Sequence, residues 1–174
     1  MDPDRAAVSI SEESTFAGDV SDRGVLAATA LAHAEAVAKR LRRQGLRART
    51  VVLKLKLAAR RRPGPRGFDL LTRRRTLPEA TDDGEMLYRT ACALLDRAAL
   101  ACPIRLLGVG VTQLEPHVAK QGDLFGKRED VPKRDRLNQA LDAVAERFGA
   151  GTVVRAGAAP VERAGLSLQK KRGE

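Results

Sequence analysis

Residues 49–57 read Arg-Thr-Val-Val-Leu-Lys-Leu-Lys-Leu. Val51, Leu53, Leu55 and Leu57 fall on one side of an extended chain. Thr50, Val52, Lys54 and Lys56 fall on the other. A period of two marks a strand with one packed face and one wet face, and here the wet face is cationic. Residues 7–16 mix the same alternation with Ser and Thr and predict a strand. Residues 68–77 predict a hairpin partner for 49–57. The stretch 60–67 joins them as a loop, because two prolines and two glycines break any regular element there. Arg73, Arg74 and Arg75 are consecutive, so both faces of the 68–77 strand receive charge. Pro78 is expected to end it. Residues 104–114 predict the last strand, in which Gly108 and Gly110 remove side chains from one face and suit the close approach of another backbone.

Between the strands the apolar period changes to that of a helix. Ser21-Asp22 offers an N-cap for a helix over 23–44. Its stripe is Leu26, Ala30, Val37 and Leu41, flanked by Leu31, Ala34 and Ala38, and Gly45 follows as the C′ residue. Thr81-Asp82-Asp83 offers a cap for a helix over 83–100, supported by Glu85 three residues beyond Asp82. Leu87, Ala91, Leu94, Leu95 and Ala98 form its stripe. The order β-α-β-β-α-β predicts an α+β fold, a four-stranded antiparallel or mixed sheet with two helices on one face. Lys54, Lys56, Thr72, Arg74 and Thr76 then lie on the open face. Predicted boundaries are a domain over 7–115, a polar linker over 116–133, a helix and short strand over 134–160, and a disordered tail over 161–174. The third helix, 134–148, has the stripe Leu137, Leu141, Val144 and Phe148; residues 152–156 predict the short strand.

Composition sharpens this picture. Hydrophobic residues make up 43% of the 174 and aromatics only 3%, so the core must be built from Leu, Val and Ala. The net charge is +10. Residues 39–75 hold fifteen Lys or Arg against one acid, Asp69, whereas residues 1–38 carry −5 and residues 76–174 only +1. Such a one-sided excess exceeds what salt-bridge lacing needs and points to an anionic polymer as partner. Cys92 and Cys102 have no metal-type spacing, and Cys92 reads as a small core residue. No apolar run approaches the roughly 18–20 residues of a membrane span. Met1-Asp2-Pro3-Asp4 is unlike a signal peptide, so a cytoplasmic protein without membrane contact is expected.

No catalytic site is expected in these residues. Metal-assisted hydrolysis or group transfer needs carboxylates clustered around the ions. Glu12 and Glu13 point to opposite faces of a strand, Asp82 and Asp83 read as helix caps, and Asp2 and Asp4 sit in the terminus. His33 within a helix and His117 in the linker read as structural. Neither a nucleophile paired to a base nor a glycine-rich phosphate loop occurs, and no metal or cofactor is expected.

Taken in order, ESTF at 13–16, AKRLRRQGL at 38–46, RTVVLKLKL at 49–57, RRRTL at 73–77 and PIRLLGVGVTQL at 103–114 resemble the little-finger domain of Y-family translesion DNA polymerases of the DinB and UmuC type. The resemblance spans roughly residues 7–115. It implies a β-α-β-β-α-β domain whose open sheet holds primer-template or damaged DNA by its backbone. It implies DNA contacts from Ser9, Ser11, Thr72, Arg73, Arg74, Arg75, Thr76 and Arg105, with backbone contributions near Gly108 and Thr112. Lys54 and Lys56 join them from the alternation alone. For Arg105 a salt bridge at the sheet edge competes. In that family, palm, fingers and thumb precede this domain, whereas here only about six residues precede the first strand; the resemblance therefore implies a parent family of DNA-directed DNA polymerases, with no catalytic site expected within these residues.

Residues 121–125, Gln-Gly-Asp-Leu-Phe, resemble the bacterial sliding-clamp-binding pentapeptide. The resemblance implies that Leu124 and Phe125 enter an apolar groove, Gln121 hydrogen-bonds beside it and Asp123 shapes the backbone. The partners expected are therefore DNA, the bacterial sliding clamp and a polymerase core in cis or in trans. Two other readings stay open: a fragment of a complete nucleotidyltransferase, and a free-standing accessory protein binding clamp and DNA. An RNA reader on the same topology is disfavoured, since such sheets present aromatics for stacking and only Phe16 and Phe68 fall on the predicted strands.

Overall fold

The computed structural model describes residues 8–60, 67–117, 130–149 and 153. The chain runs β1 (Ser9–Val20), α1 (Arg23–Arg43), β2 (Leu46–Arg60), β3 (Phe68–Thr81), α2 (Gly84–Arg97), β4 (Ile104–Pro116) and α3 (Asp130–Phe148). The strands form one sheet in the order β1-β4-β2-β3, antiparallel at every junction. The fold is thus α+β, with the element order expected from the sequence.

The alternation of β2 decides which side is covered. Val51, Leu53 and Leu55 are fully buried together with Leu107, Val109 and Val111 of β4. Leu26, Ala30, Ala34, Val37 and Leu41 of α1 and Leu87, Ala91, Leu94 and Leu95 of α2 belong to the same core. Burying each such Leu or Val contributes about 1.5–3 kcal/mol, enough to fix which face of the sheet meets the helices. β1 adds Ile10 and Phe16 to this side.

Helix ends follow local chemistry with one correction. Asp22 caps α1 by accepting from the Val25 amide at 2.8 Å, and Gly45 just past its end takes φ +61°, the left-handed conformation that only glycine adopts without strain. At α2 the cap is Asp83 alone, accepting from the Glu85 amide at 3.2 Å. Asp82 does not cap. Its buried carboxylate (7% exposed) lies 3.3 Å from His117 Nδ1 and 3.7 Å from Arg47 Nε. Glu85 pairs with Arg89 one turn on, at 2.7 Å. The prediction that Pro78 ends β3 is also corrected. The strand continues to Thr81 through a register shift between Ala48 and Thr50 of its partner. β3 is an edge strand, where a missing amide leaves no ladder bond unmade.

The third helix begins at Asp130, four residues earlier than predicted, and docks through its polar side. Arg42 of α1 donates two hydrogen bonds to Asp142, at 2.6 and 2.9 Å, and a third to the Asp82 carbonyl at 3.0 Å. Burial opposes the Arg42 charge, and the Asp142 carboxylate more than offsets this, so the guanidinium titrates above the ordinary arginine range. Asn138 is 3% exposed, whereas Leu137 and Phe148 are 52% and 63% exposed. Of its predicted stripe, Leu137 and Phe148 thus face solvent, while Leu141 and Val144 are half-buried. Of the predicted 152–156 strand only Val153 lies within the described residues, in a bend. None of the described helices is long and apolar enough to cross a membrane.

Candidate nucleic-acid interface

Residues paired across an antiparallel ladder point to the same face, so the register writes out the surface opposite the helices. Four rows cross the sheet from β1 to β3: Ser9–Thr112–Thr50–Thr76, Ser11–Gly110–Val52–Arg74, Glu13–Gly108–Lys54–Thr72, and Thr15–Leu106–Lys56–Leu70. Strands lie about 4.8 Å apart and alternate residues about 6.6 Å apart along a strand, so these side chains tile a continuous patch. The described helices pack on the other side.

The first row is made entirely of hydroxyls. Thr50 Oγ1 lies 3.0 Å from Thr76 Oγ1 and donates to Gln113 Oε1 at 2.6 Å. By alternation Gln113 would point toward the helices. A φ of +56° at this residue turns it so that its carboxamide reaches Thr50. In the second and third rows Gly110 and Gly108 are buried and leave a shallow depression of about 210 Å³, bordered by Ser9, Ser11, Glu13, Val52, Lys54 and Thr112. A Cβ added to Gly108 would stand 2.9 Å from the Glu13 Cβ, and one on Gly110 would stand 3.0 Å from the Ser11 Cβ. The glycines thus admit β1 closely and keep the floor of the depression low.

The cations differ in their engagement. Lys54 Nζ holds Glu13 Oε2 at 2.8 Å, with both side chains solvent-accessible. Arg74 has no ion pair among the described residues. Arg105 reaches the same surface because the β2–β4 register shifts between Lys56 and Leu57. Its guanidinium carbon sits 4.8 Å from the centre of the Phe68 ring, and Lys56 Nζ sits 5.4 Å from it. Arg105 Nη1 is also 3.7 Å from Asp19 Oδ1, the edge pairing that competes with a phosphate role.

Most of the expected residues fall together. Ser9, Ser11, Lys54, Lys56, Thr72, Arg74, Thr76 and Arg105 share the open surface, and Thr112 with Gly108 lies among them. Arg73 and Arg75 do not. They pair with Leu53 and Val51, so their register is that of the helix side, where the edge position leaves them exposed. The three consecutive arginines therefore straddle the sheet edge. Three participants were not anticipated. Glu13 as the partner of Lys54 needs the cross-strand register, Gln113 needs its backbone conformation, and Phe68 was legible as one more step of the Leu70–Thr72–Arg74 alternation. Gln121, Asp123, Leu124 and Phe125 lie outside the described residues.

On the opposite side, His33 of α1 is buried against β1. Its Nε2 lies 3.0 Å from Ser14 Oγ. Burial pushes its pKa down to about 4, while a backbone hydrogen bond with Leu107 and the negative charge of Glu13 pull weakly upward. The ring is neutral at physiological pH and structural. His117 likewise closes a corner, its amide donating to the Gly45 carbonyl at 2.7 Å.

The sequence matches the impB/mucB/samB family C-terminal domain over residues 7–124. DNA polymerase IV of Methanoculleus marisnigri is 40% identical over 116 residues, covering 67% of this chain and 30% of that protein. DNA polymerase IV of Desulfatibacillum aliphaticivorans is 37% identical over 155 residues, covering 88% and 37% respectively. DNA polymerase IV of Caulobacter vibrioides is 34% identical over 154 residues, covering 88% and 36%. The chain spans about a third of the length of these relatives. It belongs to the impB/mucB/samB family of DNA polymerase IV-like, Y-family polymerases, by way of that family's C-terminal domain.

Proposed function

We propose that the open sheet lies against the backbone of primer-template or damaged DNA, and that the chain serves translesion synthesis as the DNA-gripping module of a Y-family polymerase. The observation that carries this is the open sheet face, where the hydroxyls, Lys54, Lys56 and Arg74 of the four rows and the neighbouring Arg105 gather on one side and the apolar side chains that fill the helices' stripes gather on the other. Lys and Arg neutralise phosphates, hydroxyls hydrogen-bond to them, and the glycine-floored depression lets a backbone approach closely. Such contacts carry no base information, so binding is indifferent to sequence and falls steeply with salt. The nucleotidyl-transfer chemistry belongs to a polymerase core joined in cis or in trans.

The test is a titration of primer-template DNA at rising salt with two variants. Lys54→Ala/Lys56→Ala/Arg74→Ala removes cations from the open face, and Arg73→Ala/Arg75→Ala removes two from the other side of the same edge. Each phosphate contact contributes about 0.9 to the slope of log K against log salt. The triple variant is expected to lower that slope by about 2–3, and the double variant by well under 1 on the same scale. Equal losses, or an unchanged triple variant, would refute the assignment of the face.

The same reading gives residues 121–125 the role of tethering the module to the bacterial sliding clamp, with Leu124 and Phe125 as the apolar anchors. Leu124→Ala/Phe125→Ala is expected to abolish retention on immobilised clamp while DNA binding persists. Undiminished retention would make the motif accidental.

A further inference from the structure

The open surface is chemically uneven. Its upper rows are hydroxyls, glycines and single cations, with one apolar residue, Val52, and one acid, Glu13. Its last row, Thr15–Leu106–Lys56–Leu70, meets the Phe68 ring, and Leu70 stands 57% exposed to solvent. Phe68 is half-buried, and its ring lies beside two cations contributed by two different strands, Lys56 of β2 and Arg105 of β4. Because Lys56 and Arg105 come from neighbouring strands of the sheet, the Phe68 ring draws both cations to one corner of the open face. None of the sixteen residues that the four rows place on this face is aromatic, and Phe16 is buried on the core side. The corner therefore combines an aromatic ring, a guanidinium plane, an exposed leucine and positive charge.

Duplex DNA offers such a corner little, because its bases are stacked on one another and present only edges. An unpaired nucleotide offers a π-face for the ring or the guanidinium and a phosphate for the neighbouring ammonium. We propose that the Phe68–Leu70 corner, with Lys56 and Arg105, is a stacking site for an unpaired nucleobase in a single-stranded DNA extension beside the duplex. This rests on the reading that the rest of the face holds duplex DNA. The rows of Ser, Thr and Lys hold backbone, and the corner takes the base that leaves the stack.

The test compares the chain's affinity for a blunt duplex with that for the same duplex carrying a short single-stranded template extension, read by fluorescence anisotropy. A fluorescent adenine analogue in the extension reports stacking directly. Phe68→Leu keeps the apolar bulk and removes the ring, and its melting curve against wild type establishes that the fold is retained. Wild type is expected to bind the extended duplex at least about fivefold more tightly than the blunt one, the scale of a single base–aromatic stack, and to quench the analogue. Phe68→Leu is expected to lose that increment, read as the ratio of its extended-duplex to its blunt-duplex affinity, and to lose the quenching. If wild type binds both DNAs equally, or the variant keeps the full increment, the stacking site is refuted and the duplex reading stands. If wild type fails to bind even the blunt duplex, the duplex reading falls and the stacking site falls with it.

Discussion

Acid should loosen this domain through one buried side chain. His33 packs against β1 with its ring on the Ser14 hydroxyl, and burial lowers its pKa from 6.5 to about 4. The unfolded chain therefore takes up a proton between these two values while the folded chain does not. Stability tied to His33 is fully present above pH 6.5 and is lost as pH falls toward 4. A shift of this size corresponds to about 3 kcal/mol at full development. Linkage places about 2 kcal/mol of that loss between pH 7 and pH 5. For a domain of this size the melting temperature should then fall by roughly 6–8 °C over the same interval. The assay is thermal unfolding followed by circular dichroism at pH 7, 6 and 5, comparing wild type with His33→Gln, which keeps a polar partner for Ser14 but cannot titrate. The variant is expected to start less stable and to show a flatter pH dependence. A variant slope as steep as that of wild type would refute the reasoning, as would an NMR titration placing the His33 midpoint near 6.5.

Three further outcomes follow from specific contacts. Glu13 puts a negative charge on the open face beside Lys54, so Glu13→Gln is expected to tighten primer-template binding at low salt. A unit charge a few ångströms from a phosphate in water is worth roughly 0.5–1 kcal/mol, and anisotropy should show a gain of a few-fold that fades as salt rises. Gly108→Ala places a methyl group 2.9 Å from the Glu13 Cβ. It is expected to cost about 1–2 kcal/mol in chemical denaturation, because β1 must shift to admit it. Asp142→Asn removes the charge that Arg42 holds with two hydrogen bonds. It is expected to speed protease cleavage within α3 at least several-fold while leaving the midpoint for β-sheet unfolding nearly unchanged, since the sheet core does not include that pair.

What the sequence decided by itself was periodicity and punctuation. A period of two in residues 49–57 assigned Lys54 and Lys56 to the wet face, and the stripes Leu26–Leu41 and Leu87–Leu95 assigned two helices to the other side. A residue's side on a strand or helix is set by local geometry, and burying apolar area on one side only leaves the topology few alternatives. Asp22 and Gly45 were legible for the same reason, since a cap and a left-handed residue act over only a few positions. What tertiary structure decided was everything that depends on register and on which neighbour arrives. Consecutive arginines look like one patch in the sequence, yet pairing with Val51, Val52 and Leu53 sends Arg74 to one face and Arg73 and Arg75 to the other. Asp82 carries a capping residue's chemistry, but Arg47 and His117, distant in sequence, draw it into a buried corner. The third helix has an apolar stripe, but Arg42 offers its polar side a stronger partner, a bidentate ion pair screened from water. Electrostatic and hydrogen-bonded choices of this kind turn on distances of a few ångströms between residues far apart along the chain, and no local pattern encodes those distances.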